Sequence, residues 1–268
     1  MRRPFCLASL TPPPHSARVS ELFAILHEDE DLLAINKPAG LVCHPTKGDV
    51  YSSLISRVRL HLGPAATAHL VNRLDRETSG VVLVAKNPVA DAALKKLFAR
   101  RAVEKEYLAL AHGHFASDAV TCFASLGKDE QAVIAIKDCV RPDGAAARTE
   151  FWVDRRFTRA EGAFTLLRAR PHSGRKHQIR LHLQHLGHPL VGDKLYGGDE
   201  RLYLAFVLRQ LTAEQRARLL LPCQALHAAR LSFRWRDRDW EFRAEPEPWF
   251  TDFLSGQPCT PDWAEKYL

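Results

Sequence analysis

No two of the six cysteines form a CxxC pair and no HExxH string occurs, so a zinc ribbon and the common zinc-hydrolase signature are both missing. No apolar run approaches the roughly 20 residues that a membrane-crossing helix requires, and the amino terminus lacks the compact apolar segment of a secretory signal. The expectation is a cytoplasmic protein with reduced thiols. There is no internal repeat, and no glycine-rich first turn opens a βαβ alternation, which argues against a dinucleotide-binding fold.

What is present is enough apolar material for a substantial core: 46% of 268 residues are hydrophobic. Lys and Arg number 38 against 31 Asp and Glu, a formal +7 that favours a polyanionic partner, nucleic acid first. Residues 1–20, with Thr11-Pro-Pro-Pro14, read as a flexible leader. One folded domain is expected over 21–255, followed by a tail at 256–268.

Along that domain the signals alternate between strand and helix. Leu22 to His27 and Leu32 to Asn36 flank the acidic 28–31 turn as a hairpin. Leu54, Ile55, Val58 and Leu62 recur at helical spacing within 52–62, and Gly63-Pro64 stops them. Val81 to Ala85 is a β-branched run typical of a buried strand, so the preceding segment from Asn72 to Gly80 is a loop between strands. Pro88 opens a helix to Arg101 whose charged face suits phosphate. Further strands are expected at Tyr107 to Ala111, Val133 to Lys137, Thr149 to Val153, Phe164 to Ala169, Ala225 to Phe233 and Trp240 to Phe242. A helix over 175–186 carries the stripe Ile179, Leu183 and Leu186, with Arg, Lys and His on its other faces, and a short helix closes the domain at 249–254.

The chemistry concentrates in the 72–80 loop. Asp75 lies between Arg73 and Arg76, with Thr78, Ser79 and Gly80 beyond it. Flanking cations keep a carboxylate ionised at neutral pH, as a nucleophile requires, and small polar residues let a substrate approach the backbone. Taken alone, the string reads more readily as a surface turn.

Four further segments share its order and spacing with a known family. Arg73-Leu-Asp-Arg-Glu-Thr-Ser-Gly80 resembles the HRLDxxTSG signature of the RluA-type pseudouridine synthases, Lys105-Glu-Tyr107 their KxY element, and Asn36-Lys-Pro-Ala-Gly40 their NKPxG hairpin. Gly174-Arg-Lys-His-Gln-Ile-Arg180, continuing to Gly192-Asp193 and Tyr196-Gly197, is similar to their GRxHQIR and GDxxYG run. Leu226-His-Ala-Ala-Arg-Leu-Ser-Phe233 resembles their LHAxxLxF strand.

The resemblance implies an α+β fold with a mixed, largely antiparallel central sheet, flanking helices and a catalytic cleft. It implies an RNA pseudouridine synthase acting on transfer RNA, ribosomal RNA or both. Asp75 is the expected nucleophile, attacking at C1′ or assisting elimination. Tyr107 is expected to lie against the uracil and help remove the C5 proton, and Arg180 to pair with Asp75 through a bidentate contact that keeps the carboxylate charged. Phenol is a weak base, so stacking is the firmer role for Tyr107. Arg73, Arg76, Arg175, Lys176, His177 and Gln178 are candidate RNA contacts. No metal or organic cofactor is implied, and the expected state is a monomer.

The chain departs from the family pattern at two places. Asn72 stands where His is usual, which puts one local hydrogen bond or RNA contact in question, and Arg234-Trp235 replaces a His-Pro pair after the last motif strand. The leader is too short for the small RNA-binding module of some relatives, so target choice is expected to rest on the catalytic domain. Two competing readings remain. His172, His177, His182, His185 and His188 crowd one helix and invite a metal-dependent hydrolase. The basic surface alone would serve a non-catalytic RNA-binding or ribosome-assembly protein.

Overall fold

The computed structural model describes residues 23–45, 53–63 and 65–257. The leader at 1–20, most of the tail, the first residue of the expected hairpin, the start of the first expected helix and its stop at Pro64 lie outside the described residues.

β1 (Ala24–Glu28) and β2 (Leu32–Lys37) form the expected hairpin. α1 (Leu54–Leu62) starts at Ser53, whose hydroxyl accepts from the Ser56 amide, and ends at Gly63. β3 (His69–Leu70) and β4 (Ser79–Ala85) bracket the Asp75 loop. In α2 (Pro88–Ala99), Asn87 caps the Ala90 amide and Pro88 occupies the first turn. Then come β5 (Val103–His112), β6 (Ala119–Phe123), β7 (Leu126–Lys128), β8 (Asp138–Val140), β9 (Arg148–Arg159), β10 (Gly162–Pro171) and α3 (Gln178–His185). α4 (Arg201–Val207), α5 (Ala213–Leu219), β11 (Leu226–Trp235), β12 (Arg238–Arg243) and α6 (Pro248–Leu254) complete the described order.

Ten strands make one sheet with the path β1-β2-β4-β11-β5-β10-β9-β6, to which β12 adds on β11 and β3 on β4. Only the β4–β11 pair is parallel, so the sheet is mixed and largely antiparallel, as expected. β2 and β4 are buried on both faces. Leu33, Ile35, Val82 and Val84 pack on α1, while Leu32, Ala34, Val81 and Leu83 pack on α2, which explains the unbroken apolar run at 81–85. Farther along the sheet, α3 covers Ala109, Phe151 and Leu167, and α6 covers Leu110 and Phe164.

Two expectations need correction. Residues 133–137 form turns rather than a strand: Val133 is 81% exposed, Ile134 is buried, and the Lys137 amide closes onto the Ile134 carbonyl. Their alternation reflects one inward side chain, not a ladder. The helix expected over 175–186 begins later, because His177 takes a left-handed backbone (φ 56°) and leaves Arg175 and Lys176 on the preceding turn. On its polar faces Arg180 and His182 are buried. The sequence reading does not anticipate β3, β6, β7, β8, α4 or α5.

Candidate active site

The Asp75 loop is pinned from several sides. Asn72 accepts from the Leu83 amide at 2.8 Å and donates to the Val81 carbonyl at 3.3 Å, so the departure from His still ties the loop's entry to β4. The Thr78 amide closes onto the Asp75 carbonyl at 3.2 Å. Beneath the loop, the fully buried Lys37 ammonium donates to the carbonyls of Pro38, Leu41 and Arg76 at 2.8, 2.9 and 3.1 Å. Burial, only partly opposed by the Glu247 and Asp75 carboxylates, pushes the Lys37 ammonium down to about 8. At the exit, Gly80 has φ 112°, and a Cβ there would lie 2.3 Å from the Ala228 carbonyl oxygen, so only glycine lets β4 meet β11.

Register places the aromatic. Ala228 on β11 faces Gly80 on one side and Tyr107 of β5 on the other, so Tyr107 stands two strands, about 10 Å, from the loop's exit. Its ring packs on the core residues beneath both sides of β11. Burial and the Asp75 carboxylate both push the Tyr107 phenol up, which keeps it neutral.

α3 supplies the cation. Arg180 donates from Nη1 to Asp75 Oδ2 at 2.9 Å, and from Nε and Nη2 to the two oxygens of Asp193 at 2.7 and 2.8 Å. The expected bidentate grip on Asp75 is therefore corrected: the fork holds Asp193, and Asp75 receives one bond. Asp193 is buried and also accepts the Leu195 and Tyr196 amides at 2.9 Å, while the Tyr196 ring lies 4.8 Å under the guanidinium. Asp75 thus shares its guanidinium with the fully buried Asp193, and its own side chain is 30% exposed. Burial would raise the Asp75 carboxyl, yet His177, Arg180 and a hydrogen bond from Gln224 outweigh it and hold Asp75 below the usual carboxylate range. A partly exposed, ionised oxygen near a neutral aromatic can attack an electrophilic carbon.

Of the candidate RNA contacts, Arg73, Arg76, Arg175 and Lys176 are exposed. Arg76 donates to the Gly40 carbonyl and lies over the Phe206 ring, and Lys176 meets Asp138 at 3.1 Å. No hydrogen bond or ion pair among the described residues engages the Arg73 or Arg175 side chain. Gln178 is a correction. It is buried, its carbonyl oxygen accepts from Ser173 and the Arg175 amide, and its nitrogen donates to Arg148 and Thr149, so it braces the turn instead of meeting RNA. His177 turns inward to the Asp75 cluster. Sequence reasoning passed over Asp193 and Tyr196 as functional residues although the GDxxYG run contains both; for Gln224, which also donates to Thr78, no local pattern pointed to the site.

The histidines around α3 have separate engagements. His172 meets Glu150, His188 meets the His112 carbonyl, and His182 uses both nitrogens on Thr149 and the Ala124 carbonyl. Among the described residues no group of three His, Cys, Asp or Glu side chains is arranged to hold a metal ion. None of the described helices is long and apolar enough to cross a membrane.

Residues 31–185, which include the loop, Tyr107 and Arg180, match the family model described as RNA pseudouridylate synthase. The chain belongs to that family. An "Uncharacterized RNA pseudouridine synthase" of Chlorobaculum parvum is 37% identical over 85% of this chain and 72% of its own length. "Ribosomal large subunit pseudouridine synthase D" of Xanthomonas campestris is 37% identical over 82% of this chain and 64% of its own. A relative from Aquifex aeolicus, also 37% identical, is spanned over only 55% of its length. Among solved structures, human RNA Pseudouridylate Synthase Domain Containing 1 superposes with a TM-score of 0.66 at 25% identity, covering 89% of this chain and 87% of that one. Such kinship agrees with the α+β architecture and with the motif order.

Proposed function

We propose that this family member isomerises uridine to pseudouridine in RNA, with Asp75 as nucleophile, acting as a cytoplasmic monomer with its catalytic domain over 21–255. The observation that carries the reading is the ionised Asp75 carboxylate, bonded to Arg180 at 2.9 Å and close enough to Tyr107 to shift its phenol. Attack at C1′, or assisted elimination, breaks the bond from C1′ to N1 and frees the uracil. The base turns, C5 bonds to C1′, the C5 proton leaves and N1 gains one, so the product is an isomer. Neither route calls for a metal or an organic cofactor, since the carboxylate supplies the electrons and the base stays in the site.

Tyr107 provides the ring against which the uracil lies. Because its phenol is held neutral and neutral phenol is a very weak base, stacking rather than C5 deprotonation is its main role. The target base must leave its stack to reach Asp75, at a cost of a few kcal/mol that is smaller in loops. The exposed Arg73, Arg76, Arg175 and Lys176 are the proposed phosphate contacts. Large-subunit ribosomal RNA is the favoured substrate class, supported by the names of relatives from Xanthomonas and Xylella, with transfer RNA as the other candidate.

A transcriptome-wide pseudouridine map of cells with and without the gene tests the reading, followed by reconstitution on the missing site with wild type and Asp75→Asn. The expected result is a small set of lost sites, restored by wild type only. If no site disappears, or if Asp75→Asn restores it, the proposal fails; retained RNA binding would then favour the non-catalytic reading.

A further inference from the structure

His177 was expected to touch RNA, yet its side chain is only 8% exposed and both ring nitrogens face protein. Nδ1 lies 2.8 Å from the Tyr196 hydroxyl, and Nε2 lies 3.8 Å from Asp75 Oδ2, the oxygen that Arg180 already binds. The ring reaches this place because residue 177 adopts a left-handed backbone just before α3, a conformation that costs a non-glycine residue about 1 kcal/mol or more. Its side chain caps no helix amide in return.

Tyr196 settles the tautomer. The hydroxyl accepts the Asp138 amide at 3.1 Å, which leaves its single proton for an acceptor, and His177 Nδ1 is the acceptor within reach. The imidazole proton is then on Nε2, the nitrogen aimed at Asp75. Burial pushes the His177 imidazole down to about 4, so at neutral pH it is an uncharged donor, and only in the acid range where Asp75 itself titrates does it become the cation that lowers that carboxyl.

We infer that His177 is a positioning residue for the nucleophile: its Nε2–H, fixed by Tyr196, acts with Arg180 on Asp75 Oδ2 and, beside the Gln224 hydrogen bond to the same carboxylate, orients it. At 3.8 Å the contact is electrostatic, and a movement of about half an ångström, within ordinary side-chain motion, makes it a hydrogen bond. Two donors on one oxygen fix the carboxylate's rotation, so that the other oxygen is presented to the sugar in a constant direction. The charged and titratable groups facing the imidazole are Asp75, Arg180, Lys176, Asp193 and Tyr196. Lys37 and Tyr107 bear on Asp75 from below and from across β11.

This inference rests on the pseudouridine synthase reading for its kinetic consequence, but not for its electrostatic one. Glutamine places an amide nitrogen where histidine has Nε2, whereas asparagine reaches only as far as Nδ1. The test therefore compares His177→Gln, His177→Asn and Tyr196→Phe with wild type, following kcat and KM on the modified RNA across pH, and the Asp75 carboxyl titration by NMR without RNA. His177→Asn is expected to lower kcat about 10- to 100-fold with KM little changed, and to move the Asp75 titration and the acidic limb of kcat to higher pH. His177→Gln should recover most of both, with Tyr196→Phe between them. An unmoved Asp75 titration in folded His177→Asn overturns the inference whatever the enzyme's substrate. A rise in KM alone, with kcat and the titration intact, overturns it in favour of an RNA contact. Absence of pseudouridine formation by wild type would sink the functional reading while leaving the titration to judge His177.

Discussion

Arg180 grips Asp193 with two nitrogens and offers Asp75 only the third, at 2.9 Å. Asp193 is thus the anchor of the cation, and Asp75 is held by a group whose position is set elsewhere. Removing one member of a buried ion pair strands the other charge, at a typical cost of 3 to 5 kcal/mol. Asp193→Ala is expected to lose stability of about that size in urea unfolding and to abolish turnover. Asp75→Asn, at the partly exposed end of the same guanidinium, should abolish turnover while costing about 1 kcal/mol or less. Equal stability losses for the two would contradict this division of roles.

Tyr107 should tolerate loss of its hydroxyl better than loss of its ring. Stacking of a base on an aromatic side chain contributes about 1 to 3 kcal/mol. Tyr107→Phe is expected to keep kcat within about tenfold of wild type, and Tyr107→Leu to fall at least another tenfold below it. Single-turnover rates on saturating RNA check the ranking; equal loss in both variants would restore the phenol as the proton acceptor.

Lys37 has a pH signature. Its folded value of about 8 lies below the 10.5 of a free lysine, so between those values the unfolded chain binds more protons than the folded one. Stability relative to Lys37→Met should therefore rise from about pH 8 to 10.5, by up to about 3 kcal/mol, and the difference should be flat below that window. Urea unfolding of both proteins at several pH values measures it, and a flat difference throughout would mean that the ammonium is better solvated than its three carbonyl partners suggest.

Arg73 and Arg175 are exposed and free of ion pairs among the described residues. If each meets a phosphate, alanine at either position should weaken RNA binding and reduce the slope of log K against log salt by about 0.7 to 0.9, with the melting temperature unchanged. A weakened affinity with an unchanged slope would point to a base contact instead.

The motifs made the Asp75 loop, Tyr107 and Arg180 legible in the sequence, because each lies in a string with its own spacing. They did not reveal which carboxylate would receive the guanidinium fork. That choice follows from Asp193 being 13 residues from Arg180 and fixed by two backbone amides, whereas Asp75 is 105 residues away on a separate loop. The 81–85 run disclosed a strand buried on both faces, since α1 and α2 cover opposite sides of it. The 133–137 run misled because one buried isoleucine among exposed neighbours imitates a ladder. α5 carried a readable start, the reciprocal Thr212 and Gln215 cap, yet its one buried residue left no apolar stripe to notice. β6 is an edge strand with β9 as its single partner, and two-sided patterning is weakest there.

The contact between Gly80 and the Ala228 backbone also bears on how such an enzyme changes targets. With its exit held against the middle of the sheet at Gly80 and its floor bonded by Lys37, the backbone that carries Asp75 is fixed at both places. Adaptation to a new transcript must be worked out at the rim, by side chains that bend the RNA inward, and grafts between 75 and 80 are the wrong place to engineer it.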